Sequence, residues 1–225
     1  NTSGTTATNN AGSCGATCNG TLTNFSNTTA QDIILQSGWT ASNSRIGAGA
    51  IMFDGTNDYV IISNNTNINI GQSQPFTLET WVNHTLKSTE QYIINKQQNV
   101  TNEFAYTLSI DNTGKIKFSL AKQNVSVNTT ISRVPLQNNK WNHIIGTYDG
   151  TNIYLYVNGI LVDTETISFT SATDSIANLN IGRLYNNTGN FQGVIDNVRI
   201  FNRALSSEEI ISNYNKGNLS FKTRV

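Results

Sequence analysis

Apolar and polar residues alternate along much of the chain after residue 49, and this is the pattern of half-buried β-strands. Phe76, Leu78 and Val82 fall on one side of such a segment. Residues 104–110 and 153–157 repeat the pattern with β-branched and aromatic residues. Many short strands of this kind predict a β-sandwich or barrel rather than βαβ units.

Short turn sequences separate the predicted strands. Asn158-Gly159 lies between two of them and predicts a two-residue type I′ hairpin, because both positions require positive φ. Asp54-Gly55, Asp149-Gly150 and residues 111–114 carry further turn signals. The strands are therefore expected to pair in antiparallel order.

One segment near the C-terminus carries helix signals. Ser206 is followed three positions later by Glu209, which is the spacing of a capping box. Glu208 and Glu209 also suit the positive end of a helix dipole. Lys216-Gly217 predicts the end of this short helix.

The composition excludes several classes of partner. Among 225 residues, 14 are basic and 14 acidic, so the net charge is zero and charged residues make up only 12%. A nucleic-acid-binding protein or a protein of anionic membrane surfaces needs a basic patch. No apolar run approaches the length of about 18 residues that membrane insertion requires. The 37% of hydrophobic residues suffices for one large all-β domain or two small ones.

The two cysteines lie close together near the N-terminus. Cys14 and Cys18 enclose a loop of three residues whose glycine permits a tight turn, and we predict that they form a disulfide. Zinc is the alternative, but only His84 and His143 could complete a four-ligand site. The first residue is not Met, so either a signal peptide has been removed or the sequence has been shortened. A disulfide indicates an oxidising, extracytoplasmic compartment, and we expect a secreted protein.

Sequons for N-linked glycosylation occur along the whole chain. A composition so rich in Asn, Ser and Thr explains most of them, yet glycans would supply solubility that the sparse charge does not. We therefore predict a glycoprotein whose candidate acceptors are Asn1, Asn19, Asn24, Asn27, Asn64, Asn83, Asn99, Asn124, Asn128, Asn186 and Asn218.

Three segments together resemble the laminin-G-like domains of the concanavalin A-like lectin and glucanase superfamily. They are residues 46–60, which contain Asp-Gly-Thr-Asn-Asp-Tyr, residues 141–159, which run from Trp-Asn-His to Val-Asn-Gly, and residues 191–206, which contain Ile-Asp-Asn-Val-Arg. The resemblance implies an all-β fold in which two antiparallel sheets form a jelly-roll sandwich with one short C-terminal helix. The fold alone does not define a function, because it hosts lectins, adhesins and glycosidases.

The resemblance also implies a domain organisation. Residues 1–20 form a polar tail with the small disulfide loop, residues 21–217 form the jelly roll, and residues 218–225 form an extended C-terminal tail. Trp81 and Trp141 then become core or inter-sheet residues. Trp39 lies in a less regular segment and is the better candidate for an exposed aromatic residue, although packing in the fold is favoured over ligand binding for it too.

Relatives with this fold often bind one structural calcium ion. The matching positions here are Asp54, Asp58 and Asp196, with backbone carbonyls near Gly55 as further ligands. The cysteine pair replaces a polar loop that supplies a ligand in relatives. The alternative is that Asp54 forms an Asx-turn and that Asp196 pairs with Arg199 or caps a backbone group.

A catalytic role is not expected. The glycosidases of this superfamily carry clustered acids on one strand, and the nearest pattern here is Asp163-Thr164-Glu165. That pair follows the predicted Asn158-Gly159 hairpin, where a solvated strand face is the simpler interpretation. We predict no catalytic residues.

Two non-catalytic functions remain. The first is an extracellular structural or adhesive protein, a subunit of a cell-surface filament or coat whose terminal tails pair with sheet edges of neighbouring copies. Either tail could instead pack on its own domain. The second is a carbohydrate-binding, lectin-like module that uses tyrosine, tryptophan and asparagine side chains. We expect the filament subunit, with the lectin as the alternative.

Overall fold

The computed structural model describes residues 5–8, 16–25, 37–40, 43–47, 49–70, 74–97, 103–122, 126–167 and 173–218. Within these ranges the chain forms sixteen strands and one helix. They are β1 (Thr6–Ala7), β2 (Gly20–Thr23), β3 (Gly38–Thr40), β4 (Ala50–Asp54), β5 (Tyr59–Ile62), β6 (Phe76–His84), β7 (Gln91–Lys96), β8 (Glu103–Ile110), β9 (Ile116–Lys122), β10 (Ser126–Ile131), β11 (Trp141–Tyr148), β12 (Asn152–Val157), β13 (Ile160–Thr166), β14 (Thr173–Asp174), β15 (Leu179–Ile181), β16 (Gln192–Phe201) and α1 (Ser207–Asn218).

The strands form two sheets that pack face to face. One sheet has nine strands, in the order β1-β2-β5-β15-β7-β8-β9-β10, with β14 paired to β8. The other has seven strands, in the order β13-β12-β11-β6-β16-β4-β3. The β14–β8 pair is parallel and the other described pairs are antiparallel. The predicted two-sheet jelly-roll sandwich with a short C-terminal helix is therefore confirmed.

The core lies between the two sheets and is built from alternate strand positions. In β6 the predicted residues Phe76, Leu78 and Val82 are fully buried against the nine-stranded sheet. The Phe76 ring packs edge-on against Phe118, with 6.1 Å between the ring centroids. Gly146 leaves space for the Phe118 ring, because a Cβ at position 146 would lie 2.5 Å from Phe118 Cγ. Each fully buried aromatic side chain of this size contributes about 1.5–3 kcal/mol to the free energy of folding.

The opposite face of β6 carries a second buried layer beneath α1. Trp81 is 1% exposed and stacks on Tyr214 of the helix, with 5.8 Å between ring centroids. The prediction that Trp81 is buried is correct, but it lies on the outer face of the sheet rather than between the sheets. Trp39 is 7% exposed within β3, so it packs in the core, as the favoured alternative had it, and is not an exposed aromatic residue.

The local signals in the sequence correspond to the observed turn and helix start. Asn158 and Gly159 have φ of 52° and 78°, as a type I′ hairpin requires. Ser206 Oγ accepts a hydrogen bond from the Glu209 backbone N–H, and a Glu209 carboxylate oxygen accepts one from the Ser206 backbone N–H. The capping box therefore starts α1, which continues one residue beyond Gly217 to Asn218.

Part of the predicted N-terminal tail belongs to the domain itself. Thr6 and Ala7 pair with Thr21 and Gly20 as the edge strand of the nine-stranded sheet. Thr6 and Ala7 therefore pack on their own domain rather than on a neighbouring copy. Residues 219–225 of the predicted C-terminal tail lie outside the described residues.

Gly217→Ala tests how closely α1 approaches the sheet. In an exposed helix this substitution stabilises by about 0.5–1 kcal/mol. Here the added Cβ would lie 2.4 Å from Trp81 Cζ2, so we expect the free energy of unfolding to fall by about 1–3 kcal/mol. Urea denaturation measures the change. Ser212→Ala, at an exposed position of the same helix, is the control and should cost nothing; equal effects of both variants would contradict the close packing.

Candidate functional site

A continuous row of mostly polar side chains crosses the outer face of the nine-stranded sheet. Side chains alternate between the two faces of a strand, so the neighbours of core residues project outward and align across strands. The strand register places one such residue from each of seven strands side by side. This polar row consists of Thr21, Ile61, Asn180, Asn95, Thr107, Ser119 and Thr129.

The loop of residues 182–191 covers the middle of the polar row. Its two ends are joined by a hydrogen bond of 2.8 Å from Phe191 N–H to the Gly182 carbonyl. Gly182 N–H donates to the Ile93 carbonyl, and the Gly189 carbonyl accepts from Tyr92 N–H. Both glycines have positive φ, so the loop turns sharply while it stays attached to β7.

Three half-buried tyrosines surround the covered part of the row. Tyr59 and Tyr92 project outward from β5 and β7, and Tyr185 comes from the loop. Burial, followed by the charges of Glu90 and Tyr185, raises the pKa of Tyr92 to about 12. The Tyr92 hydroxyl therefore stays neutral at physiological pH and can donate a hydrogen bond.

Two buried asparagines lie between these tyrosines. Asn95 has no exposed surface, and its Oδ1 accepts a hydrogen bond of 3.1 Å from Tyr185 N–H. The Asn95 Nδ2 group has no hydrogen-bond partner among the described residues. Asn180 is 4% exposed and its Oδ1 accepts a hydrogen bond of 3.1 Å from Arg183 Nε. An unused buried amide donor costs about 1–3 kcal/mol, which a bound acceptor would recover.

We name this cluster the tyrosine face, which consists of Tyr59, Tyr92, Asn95, Asn180, Arg183 and Tyr185. The set offers aromatic surfaces, amide groups and one guanidinium, and it contains no carboxylate. Such groups stack on and hydrogen-bond to a polar ligand but cannot perform acid–base hydrolysis, which needs two carboxyl groups. No single sequence motif predicts this cluster, because its members come from three separate segments of the chain that the sheet register brings together.

The three predicted calcium ligands do not converge. Asp54 and Asp58 lie together, with Asp58 Oδ2 accepting a hydrogen bond of 2.9 Å from the Asp54 backbone N–H. Asp54 pairs with Gln192 in the sheet, and Asp196 lies four residues further along β16, which is about 13 Å away. Within the described ranges no three acidic, histidine or cysteine side chains form a metal-binding group. The three carboxylates therefore do not lie together in the described structure, and calcium binding at any of them stays a prediction.

Other groups occupy the oxygen atoms that the calcium prediction required. The Gly55 carbonyl accepts a hydrogen bond of 2.5 Å from the Lys87 ammonium, which also donates to the Asn190 carbonyl at 3.1 Å. Asp54 forms the Asx-turn of the alternative interpretation, because its Oδ1 accepts from Thr56 N–H at 2.7 Å. The residues present do not supply the predicted ligand set.

Asp196 binds a loop rather than a metal ion. Its Oδ2 accepts hydrogen bonds of 2.7 Å from the backbone N–H groups of Arg45 and Ile46. Burial raises the pKa of Asp196, and the two backbone donors oppose that shift. This is the backbone-capping role that the alternative interpretation described.

Two further acidic residues, Asp163 and Glu79, have structural partners. Asp163 Oδ2 accepts a hydrogen bond of 2.9 Å from Ile131 N–H and so caps the edge of β10, while Glu165 is exposed. Glu79 lies 1% exposed beneath α1, with 2.9 Å from its Oε1 to His143 Nε2. Asn213 of the helix donates to the other Glu79 oxygen at 3.1 Å. Sequence reasoning missed this Glu79–His143 pair, which fastens the helix to the sheet.

Five of the predicted disulfide and glycosylation residues lie outside the described residues. They are Cys14, Asn1, Asn27, Asn99 and Asn124. The Cys14–Cys18 disulfide therefore stays a prediction. The other sequons are at least partly exposed with one exception. Asn128 is 8% exposed and its Nδ2 donates a hydrogen bond of 3.2 Å to the Thr166 carbonyl, which conflicts with its use as a glycan acceptor in the folded protein.

Asn128 should therefore remain unmodified when the protein is produced in a glycosylating host. The amide nitrogen that would carry the sugar is buried and already bound to Thr166. Peptide mapping by mass spectrometry measures the occupancy of each sequon. Exposed Asn186 is the matched comparison, and an occupied Asn128 would contradict the observed packing.

The variant Asp58→Asn and a chelator together test whether Asp54 and Asp58 bind a metal ion. Burial raises the pKa of Asp58 to about 6, so the folded protein holds this proton more tightly than the unfolded chain does. The resulting contribution to the free energy of unfolding is complete below the ordinary pKa of 3.8 and is lost as the pH rises through 6. We expect Asp58→Asn to raise the free energy of unfolding by about 1 kcal/mol at pH 8 and by less at pH 4.

Excess chelator should leave the thermal unfolding of the wild type unchanged. The control is Asp54→Asn, at the exposed neighbouring carboxylate, which should remove little of the pH dependence. A calcium ion bound at these two aspartates would reverse both results, because it would stabilise the ionised form of Asp58.

Several solved structures share the fold. The binding domain of Paraclostridial Mosquitocidal Protein 1 superposes with a TM-score of 0.65 at 17% identity, over 80% of this chain and 45% of that chain. The binding domain of botulinum neurotoxin serotype G has a TM-score of 0.65 at 18% identity, over 84% and 48%. The serotype D ligand binding domain, in complex with N-acetylneuraminic acid, has 0.63 at 20%, over 86% and 49%. The chain spans about half the length of these structures.

The sequence comparisons place the chain in a family. No curated protein matches it. Residues 54–211 match the family Laminin_G_3, described as the concanavalin A-like lectin/glucanases superfamily. Because this match covers more than half of the chain, the protein belongs to this laminin-G-like family of the concanavalin A-like lectins and glucanases.

Proposed function

We propose that the protein is a non-catalytic, lectin-like module that binds carbohydrate at the tyrosine face. The observation that carries this proposal is the unpartnered Nδ2 donor of Asn95, which is buried between half-exposed tyrosine rings. Protein sites for sugars combine aromatic surfaces with a few fixed polar groups, and this cluster has both.

The relatives support a binding role rather than a filament subunit. The superposed structures are binding domains, and one of them is a complex with N-acetylneuraminic acid. The predicted filament depended on free terminal tails, yet Thr6 and Ala7 already pair with β2 of their own domain. The lectin-like alternative is therefore the function that we carry forward, with glycans rather than sister subunits as partners.

The acidic residues support a non-catalytic role. The described candidates for catalysis are Glu79, which is covered by α1, and Asp163, which caps a backbone N–H group. A glycosidase needs two accessible carboxyl groups on either side of the sugar bond. The superfamily includes glucanases, so the fold alone does not support a non-catalytic role. The support comes from the environments of the acidic side chains.

We also propose that the protein works outside the cell. The cysteine pair and the exposed sequons support an oxidising, extracytoplasmic environment. In the part of the chain that the structure describes, no helix combines the length and the hydropathy needed to cross a membrane.

Tyr185→Ala tests the binding surface. We expect the wild type to bind a subset of an immobilised glycan array, and we expect the variant to bind the same glycans at least tenfold more weakly. The physical reason is the loss of ring stacking, which contributes about 1 kcal/mol or more. Calorimetry with the strongest ligand measures the affinities.

Tyr154→Ala is the matched control, because Tyr154 is a half-exposed tyrosine on the outer face of the opposite sheet. It should leave the affinities unchanged. The proposed function is wrong if the wild type binds no glycan on the array, and the proposed site is wrong if both tyrosine variants lose affinity equally.

A further inference from the structure

Arg183 is held in one orientation at the centre of the tyrosine face. Its guanidinium carbon lies over the Tyr59 ring, 3.1 Å from the centroid. Its Nε donates to Asn180 Oδ1 at 3.1 Å, and one terminal nitrogen donates to Asn187 Oδ1. A ring and two amide oxygens therefore fix a side chain that is ordinarily flexible.

The groups that hold Arg183 are all neutral. Among the described residues no carboxylate lies within 4.0 Å of its guanidinium. Two other arginines differ, because Arg203 pairs with both oxygens of Glu209 at 2.7 Å and Arg199 approaches Glu79 at 3.9 Å. Arg45 also has neutral partners, but it lies over Trp81 on the opposite sheet, away from the tyrosine face. Arg183 is thus a fixed cation whose charge the described protein does not neutralise.

Glu90, a carboxylate on the same outer face, is already paired with a lysine. Glu90 lies 3.4 Å from Lys117, and it also accepts a hydrogen bond of 2.7 Å from Ser109. Burial lowers the pKa of Arg183, so the fold keeps a partly desolvated guanidinium without an acidic partner. Partial burial of an uncompensated charge is costly, and a bound anion would reverse that cost.

The remaining N–H groups of Arg183 suit a planar anion. An arginine has five N–H donors, and the two amide oxygens use two of them. The unused donors can bind a carboxylate or sulfate through two parallel hydrogen bonds. Because the side chain is already fixed, little conformational entropy is lost when the anion binds.

We propose that Arg183 forms the subsite for the acidic group of a carboxylated or sulfated sugar that binds at the tyrosine face. This inference rests on the proposed function and adds the chemical class of the ligand. The tyrosine rings and Asn95 then bind the neutral part of the sugar, while Arg183 selects for the anion.

The test compares matched glycans that differ only in their acidic group. Affinities are measured by calorimetry for a sialylated glycan and its asialo parent, and for a sulfated glycan and its unsulfated parent. We expect the wild type to bind at least one acidic member about tenfold or more tightly than its parent. The pair that shows the difference tells whether the ligand carries a carboxylate or a sulfate.

Arg183→Gln should reduce that difference to less than about twofold, because the acidic glycan loses its ion pair with the guanidinium and its neutral parent has no such interaction to lose. Arg183→Lys keeps the charge without the planar fork and should retain part of the preference. Arg203→Gln is the control, since that arginine lies after β16 and is already paired with Glu209 of α1, and it should leave the preference intact.

Equal binding of acidic and neutral glycans by the wild type would overturn this inference and leave the proposed function standing. The same holds if Arg183→Gln weakens both members of a pair equally. Binding of no glycan at all would overturn the proposed function itself. The wild-type ratio is measured without any substitution, so it remains decisive even if a variant does not fold.

Discussion

The register of the nine-stranded sheet is the constraint on which the rest of the molecule depends. Side chains alternate between two faces with a period of two residues, so a slip of one residue would exchange the faces of a whole strand. In β7 such a slip would turn Asn95 into the core and Ile94, which is fully buried, toward the solvent. The same register aligns Asn95 with Asn180 and Thr107. The apolar core and the polar row are therefore two consequences of one arrangement.

Local features of this fold were predictable from the sequence because their causes are local. The Asn158-Gly159 turn and the capping box of Ser206 and Glu209 depend only on neighbouring residues, and both are observed. The alternation in β6 identified correctly which residues face the core. It could not show what covers the other face, since α1 reaches Trp81 from more than 100 residues away. The tyrosine face was unpredictable for the same reason.

The three aspartates of the calcium prediction do not lie together, and calcium binding stays a prediction. The sequence correctly identified a turn rich in oxygen acceptors around Gly55, but an ammonium group of the protein itself occupies it. Lys96 does the same elsewhere, because its Nζ donates to Asn64 Oδ1 at 2.8 Å and to the carbonyls of Ser175 and Ala177. Carbonyl cages of this kind suit any compact cation. Whether the cation is a metal ion or a lysine depends on a residue 32 positions away from its acceptor, which local motifs do not specify.

The two outer faces of the sandwich are covered to different extents, and this difference supports the proposed binding surface. On the seven-stranded sheet, α1 covers Glu79, His143 and Trp81, so these three side chains are buried beneath the helix. On the nine-stranded sheet, the loop of residues 182–191 covers the polar row only in part. Its hydrogen bonds satisfy one atom of Asn95 and leave the other unused. The face beneath α1 also keeps an unused buried donor, Trp81 Nε1, but the helix covers it. The unused donor of Asn95 lies beside half-buried tyrosine rings, so a ligand that supplied an acceptor there would stabilise the protein.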